Sequence, residues 1–189
     1  MVDAAQQFLD EGTLFHGRYE VVRKIGAGGM GAVYEVLDRV TRRPRALKVM
    51  LPQVVAREDI RRRFQREATV ASGIESEHVA ETLDAGVDAD SGSPFIVLEL
   101  LKGQELADMV QERGPLPPDE VDLYLSQTAV ALEKAHAAGV VHRDLKPENL
   151  FVTYRDDGSP RIKVLDFGIA KVISETVTGP ETQGVLGSP

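Results

Sequence analysis

Apolar and polar positions alternate along several short segments in the first hundred residues, and each segment is bounded by glycine, proline or charged residues. Alternation of period two predicts β-strands in which one face is buried. The segments that show it are YEVVRKIG, AVYEVLD, ALKVML, VAETLDAGV and PFIVLELL. A further hairpin is predicted at YRDDGSPR, because its Asp-Asp-Gly turn precedes the alternating segment IKVLDFG.

Two longer segments repeat their apolar residues at helical spacing instead, and these predict helices over 57–74 and over about 119–138. In the second helix Gly139 would end the last turn. Its predicted core stripe consists of Val121, Leu125, Thr128, Leu132 and Ala135. The order of strands first and helices later predicts an α+β protein with two unlike lobes joined near residues 99–103.

Composition and charge narrow the classes of function. The chain has 189 residues, 42% of them hydrophobic and 28% charged, with a net charge of −8. This acidity disfavours a broad nucleic-acid-binding face. The absence of cysteine excludes disulfides and cysteine-based zinc sites. Because the longest apolar stretch, PFIVLELL, is short and contains Glu99, we expect no membrane span. The N-terminus lacks the features of a signal peptide, so we expect a cytoplasmic protein.

The segment IGAGGMGAV contains Gly26, Gly28 and Gly31 in a G-x-G-x-x-G pattern. Glycines at this spacing let a backbone approach phosphate groups closely. The pattern alone fits a dinucleotide-binding turn, a phosphate-binding hairpin or an ordinary glycine-rich hairpin. A dinucleotide turn would open a helix, whereas AVYEVLD is strand-like, so a dinucleotide-dependent dehydrogenase is disfavoured.

Further candidates follow along the chain. Lys48 lies in the strand ALKVM, and Glu67 lies on the first predicted helix. Alone, Lys48 would be a solvated edge residue, and Glu67 would form a surface ion pair of little value. The segments HRDLKPEN, at 142–149, and LDFG, at 165–168, carry two aspartates, Asp144 and Asp166. Each alone could be an ordinary polar turn.

Together and in this order, these motifs resemble those of the eukaryotic-like protein kinases from Tyr19 onward. LKPEN is typical of the serine/threonine branch, and IGAGGMGAVYEVLD looks most like the bacterial members of that branch. The resemblance implies a bilobal kinase fold with a complete β-rich N-lobe at 18–98, a hinge at 99–103 and an incomplete helical C-lobe at 104–189, after a lead-in at 1–17. It also implies transfer of the γ-phosphate of ATP to serine or threonine hydroxyls of proteins.

The resemblance also assigns roles to individual residues. Asp144 would accept the proton of the substrate hydroxyl, and Lys146 would reach the transferred phosphate. Asn149 and Asp166 would hold Mg²⁺, with Mn²⁺ as an alternative. Lys48 would bind the α- and β-phosphates and be held by Glu67. Ala46 would lie above the adenine and Phe151 below it. Glu99 and Leu101 would bond the adenine in the hinge, beside the gatekeeper Leu98, and Glu105 would bond the ribose. The glycine-rich loop would supply the remaining nucleotide contacts, from Ile25, Gly26, Ala27, Gly28, Gly29, Met30, Gly31, Ala32 and Val33.

Regulation is implied in the same way. Arg143 would bind a phosphate on the activation segment, for which Thr182, Thr178 and Thr176 are candidates, and Ser188 would meet Asp144 and Lys146. Because the family pattern continues beyond the final Ser-Pro, we expect residues 1–189 alone to be weakly active or inactive. A dimer through the N-lobe is left open. The alternative function is a nucleotide-binding pseudokinase or regulatory fragment, which the presence of Lys48, Glu67, Asp144, Asn149 and Asp166 disfavours.

Overall fold

The computed structural model of the protein describes residues 8–28, 31–50, 70 and 72–167. The first lobe is a six-stranded sheet in the order β1-β2-β3-β4-β6-β5, in which all neighbouring strands are antiparallel. Its strands are β1 Leu14–Phe15, β2 Tyr19–Gly28, β3 Gly31–Asp38, β4 Pro44–Met50, β5 Thr82–Val87 and β6 Pro94–Glu99. The five predicted strands are confirmed, and β5 begins three residues later than its apolar pattern does. The predicted helix over 57–74 lies almost entirely outside the described residues.

Alternation along β3 and β4 gives the sheet two different faces. One face carries a buried cluster, called here the outer-face cluster, which consists of Phe15, Tyr19, Val21, Ala32, Tyr34, Val36, Leu47, Phe95 and Val97. The opposite face carries Val33, Ala46, Lys48 and Leu98, which line a cleft between the lobes. Strands β3, β4 and β6 therefore supply both the core of the first lobe and one wall of the cleft.

The second lobe combines helices with a small sheet in the order β7-β8-β9. Its elements are β7 Gln104–Glu105, α1 Leu106–Arg113, α2 Pro118–Ala137, a 3₁₀ turn Pro147–Asn149, β8 Leu150–Tyr154 and β9 Pro160–Val164. The predicted hairpin is confirmed as the β8–β9 pair. The lobe's core is built mainly from Met109, Tyr124, Ala131, Ala135, Val152, Ile162, Val164 and Phe167.

Helix α2 ends as predicted but buries a different stripe. Gly139 adopts a φ of 77°, and its N–H donates to the carbonyl of His136 at 2.9 Å. The residues of α2 that are buried are Tyr124, Gln127, Thr128, Ala131 and Ala135. The prediction was therefore wrong for Val121 and Leu125, whose exposed fractions are 40% and 62%. The reason is Gln127, whose Oε1 accepts the N–H of Ile162 at 2.7 Å, so that a polar residue occupies the buried face.

Residues 74–80 link the two lobes, in addition to the segment between β6 and β7. Val79 forms a parallel bridge with Val164, the N–H of Ala80 donates to the carbonyl of Val164 at 3.0 Å, and the N–H of Val164 donates to the carbonyl of His78 at 2.8 Å. Ile74 and Val79 belong to the core of the second lobe. The chain thus packs against the second lobe immediately before it forms β5 of the first lobe. None of the helices in the described part of the chain is long and apolar enough to cross a membrane.

A buried carboxylate, that of Asp38, lies at the end of strand β3 opposite to the glycine-rich turn. Asp38 accepts two hydrogen bonds from Arg18, at 2.9 and 3.0 Å, and also bonds to the backbone of Val40 and the hydroxyl of Thr41. The hydrogen bonds from Arg18 hold the pKa of Asp38 well below its ordinary value, against the opposing effect of burial. Asp38 thus fixes the β3–β4 turn, in which Arg42 adopts a φ of 56°.

We expect the substitution Asp38→Asn to lower the free energy of unfolding by on the order of 2 kcal/mol near neutral pH, because charge-assisted hydrogen bonds to Arg18 are lost. A carboxylate whose pKa is depressed by folding stabilises above its unfolded pKa of about 3.9 and loses that effect as the pH falls. The difference between wild type and variant, measured by urea unfolding, should therefore be full above about pH 5 and shrink below about pH 4. The exposed pair of Glu20 and Arg39 provides the control, since Glu20→Gln should cost less than about 1 kcal/mol. A difference for Asp38→Asn that does not vary with pH would contradict the assignment.

Candidate functional site

The cleft between the lobes has a volume of about 670 Å³, within the range of about 300–1,000 Å³ typical of small-molecule sites. The residues that line it come from the first lobe, from the second lobe and from residues 99–103 between them, called here the connecting segment. The sequence-predicted residues among them are Ile25, Gly26, Val33, Ala46, Lys48, Leu98, Glu99, Leu101, Glu105, Lys146, Asn149, Phe151 and Asp166. The fold therefore brings together residues that are more than a hundred positions apart in sequence.

The glycine-rich segment forms the end of the β2–β3 hairpin, with Gly26 paired to Val33, Ala27 to Ala32 and Gly28 to Gly31. This confirms a strand after the glycines and excludes the helix that a dinucleotide-binding turn requires. A Cβ atom on Gly31 would overlap the carbonyl oxygen of Val49, so β4 leaves room only for glycine there. The side chain of Ala32 belongs to the outer-face cluster, which leaves only its backbone for the cleft side. Gly29 and Met30 lie outside the described residues.

Lys48 and Asp166 join the two walls of the cleft. The Lys48 Nζ lies 2.6 Å from Oδ2 of Asp166, and both side chains are about one-quarter exposed. Asp166 adopts a φ of 55°, a conformation that is uncommon for a residue with a side chain. The predicted partner of Lys48, Glu67, lies outside the described residues, as do the regulatory candidates Thr176, Thr178, Thr182 and Ser188.

Asp144 lies in a cluster of polar contacts on the second lobe. Its Oδ2 is 3.1 Å from Nζ of Lys146 and 3.2 Å from Nδ2 of Asn149, which also donates to the carbonyl of Asp144 at 2.7 Å. The hydrogen bond from Lys146 holds the pKa of Asp144 below its ordinary value, and in turn raises the pKa of Lys146. The carboxylate is therefore ionised, oriented and half-exposed, so it can accept a hydrogen bond from an incoming hydroxyl group.

His142 links this loop to the segment that carries Asp166. Its Nδ1 accepts the N–H of Asp144 at 3.3 Å, so its Nε2 is the nitrogen that donates to the carbonyl of Leu165, at 2.7 Å. Its ring also packs edge-on against the ring of Phe167, with the ring centres 4.9 Å apart. Arg143, which lies between His142 and Asp144, has a φ of 64°. Backbone strain of this kind persists only where surrounding bonds enforce it. The two motifs of the sequence are therefore one bonded unit in the structure.

Lys163 was missed by sequence reasoning. It is 7% exposed, and its Nζ donates to Oε1 of Glu99 at 2.6 Å and to the carbonyl of Val79 at 3.1 Å. The same Glu99 oxygen accepts the N–H of Glu81 at 2.9 Å. Lys163 thus ties β9, three residues before Asp166, to the connecting segment. The only signal in the sequence was a lysine flanked by apolar residues in RIKVLDFG, which equally describes a solvated strand position.

The lower wall of the cleft is aromatic. Phe151, on β8, lines it close to Gly103, where an added Cβ would meet the ring at 3.1 Å and overlap the carbonyl oxygen of Val152. Glu105 lies beside them, and burial raises its pKa, together with the nearby charge of Asp108. Phe151 from the second lobe therefore lines the same cleft as Ala46 and Val33 from the first lobe.

The donor set of Asn149 and Asp166 suits a hard divalent cation. Both residues offer oxygen atoms, and the amide nitrogen of Asn149 is used in its bonds to Asp144, so its oxygen is the atom available to a cation. Mg²⁺ is typically held by one or two such protein ligands together with substrate phosphates and water. Two ligands at the cleft therefore fit Mg²⁺ bound with a nucleotide better than a cage made by protein alone.

Comparison with known proteins agrees with this geometry. Residues 19–189 match the family model described as protein kinase domain. The chain is 37% identical to a probable serine/threonine-protein kinase of Clostridium perfringens, 41% to the serine/threonine-protein kinase pkn3 of Myxococcus xanthus and 38% to the serine/threonine-protein kinase PknL of Mycobacterium tuberculosis. The crystal structure of the Mycobacterium tuberculosis PknI kinase domain superposes with a TM-score of 0.76 at 36% identity.

These matches cover most of this chain but a smaller share of each relative. They cover 94%, 86% and 92% of this chain but only 25%, 30% and 42% of the three relatives. The structural match covers 86% of this chain and 64% of the PknI kinase domain. The chain therefore spans less than half the length of these relatives and about two-thirds of a kinase domain.

We expect Lys163→Met to lower the free energy of unfolding by about 2 kcal/mol, because the partly buried carboxylate of Glu99 and the carbonyl of buried Val79 lose their donor. Adding Glu99→Gln should recover part of the loss, so that a double-mutant cycle gives a coupling of at least about 1 kcal/mol. The control is Arg113→Met, which breaks the exposed ion pair with Glu120 and should cost less than about 1 kcal/mol. Urea unfolding measures all four proteins, and strictly additive effects of Lys163→Met and Glu99→Gln would contradict the tether.

Proposed function

Because this chain belongs to the protein kinase family, we propose that its protein transfers the γ-phosphate of ATP to serine or threonine hydroxyl groups of other proteins. The lead-in would be 1–17, the N-lobe 18–98, the hinge 99–103 and the C-lobe 104–189. The observation that carries the proposal is the oriented Asp144–Lys146–Asn149 cluster, bonded through His142 to the segment of Asp166. We also propose that this part of the protein lies in the cytoplasm.

Asp144 is the residue that we propose to receive the substrate. Phosphoryl transfer passes through a loose transition state, so the protein mainly positions the reactants and neutralises charge. An ionised carboxylate with a low pKa is a weak base, and it orients the hydroxyl group before accepting its proton. Lys146, already bonded to Asp144, would donate to the transferred phosphate and so keep nucleophile and phosphate together.

Asn149 and Asp166 are the proposed ligands of Mg²⁺, or of Mn²⁺ in its place. The metal, when bound, would neutralise charge on the phosphate oxygens. Asp166 is held by the strained backbone at its own position and by Lys48. We propose that Lys48 binds the α- and β-phosphates and that Glu67 orients it; the support for Lys48 is its ammonium group in the cleft.

The adenine is proposed to lie between Ala46 and Val33 above and Phe151 below. The backbone carbonyl of Glu99 and the N–H of Leu101 would bond its edge, and Glu105 would bond the ribose. Stacking on an aromatic ring favours a planar base. The glycine-rich hairpin would cover the phosphates with backbone N–H groups from Ile25 to Val33.

Nucleotide binding without transfer, as in a pseudokinase or regulatory fragment, is the second candidate. The oriented Asp144 cluster disfavours it, since binding alone has no use for such a carboxylate. We further propose that residues 1–189 alone transfer phosphate weakly, because apolar residues of α2 such as Val121 and Leu125 are exposed and favour association.

Substitution of Asp144 separates transfer from binding. In the full-length protein we expect Asp144→Ala to lower the rate of phosphate transfer to a generic basic protein by roughly 100- to 10,000-fold while leaving the Kd for ATP within about 3-fold. Asp166→Asn should weaken Mg²⁺-dependent ATP binding as well. Radiolabel transfer and calorimetry measure the two properties, and Asp157→Asn on the exposed β8–β9 turn is the control. Equal transfer by wild type and Asp144→Ala would overturn the assignment, and a wild type that binds ATP but transfers nothing would support the second candidate.

Phosphorylation of the activation segment is a separate proposal that rests on Arg143. A phosphate carries close to two negative charges and pairs well with a guanidinium group. After incubation of the full-length protein with ATP and Mg²⁺, we expect mass spectrometry to find phosphate on Thr176, Thr178 or Thr182, with the highest occupancy at Thr182. The Asp144→Ala protein should carry none. Absence of phosphate from all three residues in the wild type would contradict this proposal.

A further inference from the structure

The segment before the family match lies on the outer face of the first sheet. The match begins at residue 19, and residues 8–16, called here the brace, precede it. The N–H of Gly12 donates to the carbonyl of Val21 at 2.8 Å, and the N–H of Val21 donates to the carbonyl of Thr13 at 2.9 Å. Phe8 and Leu9 pack on the outer-face cluster, to which Phe15 itself belongs.

One end of the brace is anchored to the outer-face cluster, on the face of the sheet opposite to the cleft. The ring of Phe15 meets that of Phe95 edge-on at 5.4 Å, and the ring of His16 lies 4.8 Å from that of Phe95. His16 Nδ1 is also 3.2 Å from the buried carboxylate of Asp88. These contacts fix the brace against β6 and the turn before it, so this end provides a stationary support.

The other end of the brace contacts both residues of one cross-strand pair in the glycine-rich hairpin. The N–H of Leu9 donates to the hydroxyl of Tyr34 at 3.0 Å, and Nζ of Lys24 lies 4.3 Å from the centre of the Phe8 ring. Lys24 on β2 and Tyr34 on β3 are directly paired. The two adjacent brace residues therefore hold both strands of the hairpin at the same level.

This level lies immediately before the glycine-rich end of the hairpin. The β2–β3 register shifts between Lys24 and Gly26, and the next pair, Gly26 with Val33, lines the cleft. A bulge is a point at which a strand bends more easily. A support immediately before the bulge consequently limits how far the glycine-rich end can move relative to the rest of the sheet.

We infer that the brace is a positioning segment for the phosphates of ATP, acting through Tyr34 and Lys24 on the glycine-rich hairpin. The inference rests on the proposed function. Holding a binding loop near its bound position reduces the entropy lost on binding, so the brace raises affinity without touching the ligand. The adenine is proposed to bond to residues 99–103 and to meet the hairpin only through Val33, so adenosine binding should depend on the brace less than binding of ATP with Mg²⁺ does.

Two tyrosine substitutions test the inference in the full-length protein. Tyr34→Phe removes the hydroxyl that accepts the Leu9 N–H. Tyr19→Phe is the matched control. Tyr19 belongs to the same cluster, but it lies at the end of β2 opposite to the glycines, and its hydroxyl donates to Asp84 at 2.6 Å. Calorimetry should show that Tyr34→Phe weakens binding of ATP with Mg²⁺ by roughly 3- to 10-fold and changes adenosine binding by less than about 2-fold. Tyr19→Phe should change neither, although both variants lose some thermal stability.

Hydrogen exchange supplies a readout that needs no nucleotide. Amides of residues 24–28 and 31–34 should exchange faster in Tyr34→Phe and in a protein lacking residues 1–11, but not in Tyr19→Phe. Unchanged exchange there, unchanged ATP affinity, or an equal loss of ATP and adenosine binding would each overturn the brace. A wild type that binds no ATP would instead overturn the proposed function, while the exchange measurement would still decide whether the brace restrains the hairpin.

Discussion

Strand β9 is bonded on both edges and through the buried side chain of Lys163, and the geometry of the cleft depends on it. One edge pairs with β8, and the other receives residues 78–80 from the first lobe. Gln127 of α2 accepts its Ile162 N–H, and Lys163 extends from it to Glu99. A strand held from so many directions has little freedom, so Asp166, two residues beyond it, is fixed relative to both lobes. This explains how one short strand can set the distance between a predicted metal ligand and a predicted adenine site.

The first lobe depends on a different constraint, the alternation of side chains in β3 and β4. Tyr34 and Leu47 lie on the outer face, and their neighbours Val33 and Lys48 lie on the cleft face. A residue that packs the core and a residue that would bind nucleotide are thus consecutive on one rigid backbone. A change in packing at Tyr34 or Leu47 therefore acts directly on the cleft residue beside it, because consecutive side chains project from opposite faces of one strand.

Most of the strands were predictable from the sequence because period-two alternation is a local property. The cleft was predictable only through the resemblance of its motifs, since Lys48 and Asp166 are 118 residues apart and no spacing rule connects them. The stripe of α2 was misjudged because Gln127 occupies a buried position by bonding to a strand that the helix pattern does not reveal. Lys163 was missed for the same reason: its burial depends on Glu99 and Val79, which only the fold brings near. The pair of Lys48 and Glu67 stays a prediction.

The charges that line the cleft favour a nucleotide accompanied by a metal over a free nucleotide. Among the described residues, five carboxylates line it, from Glu99, Glu105, Asp108, Glu148 and Asp166, against three cations, from Arg23, Lys48 and Lys146. A lone triphosphate would add further negative charge to a region in which neighbouring carboxylates already help to raise the pKa of Glu105. This repulsion weakens the affinity for the triphosphate, and it grows as the cleft closes and water is excluded. A divalent cation bound with the triphosphate offsets the repulsion. The metal proposed at Asp166 and Asn149 thus has an electrostatic role in addition to its proposed role in transfer: without a metal, an acidic cleft is a poor site for a polyphosphate.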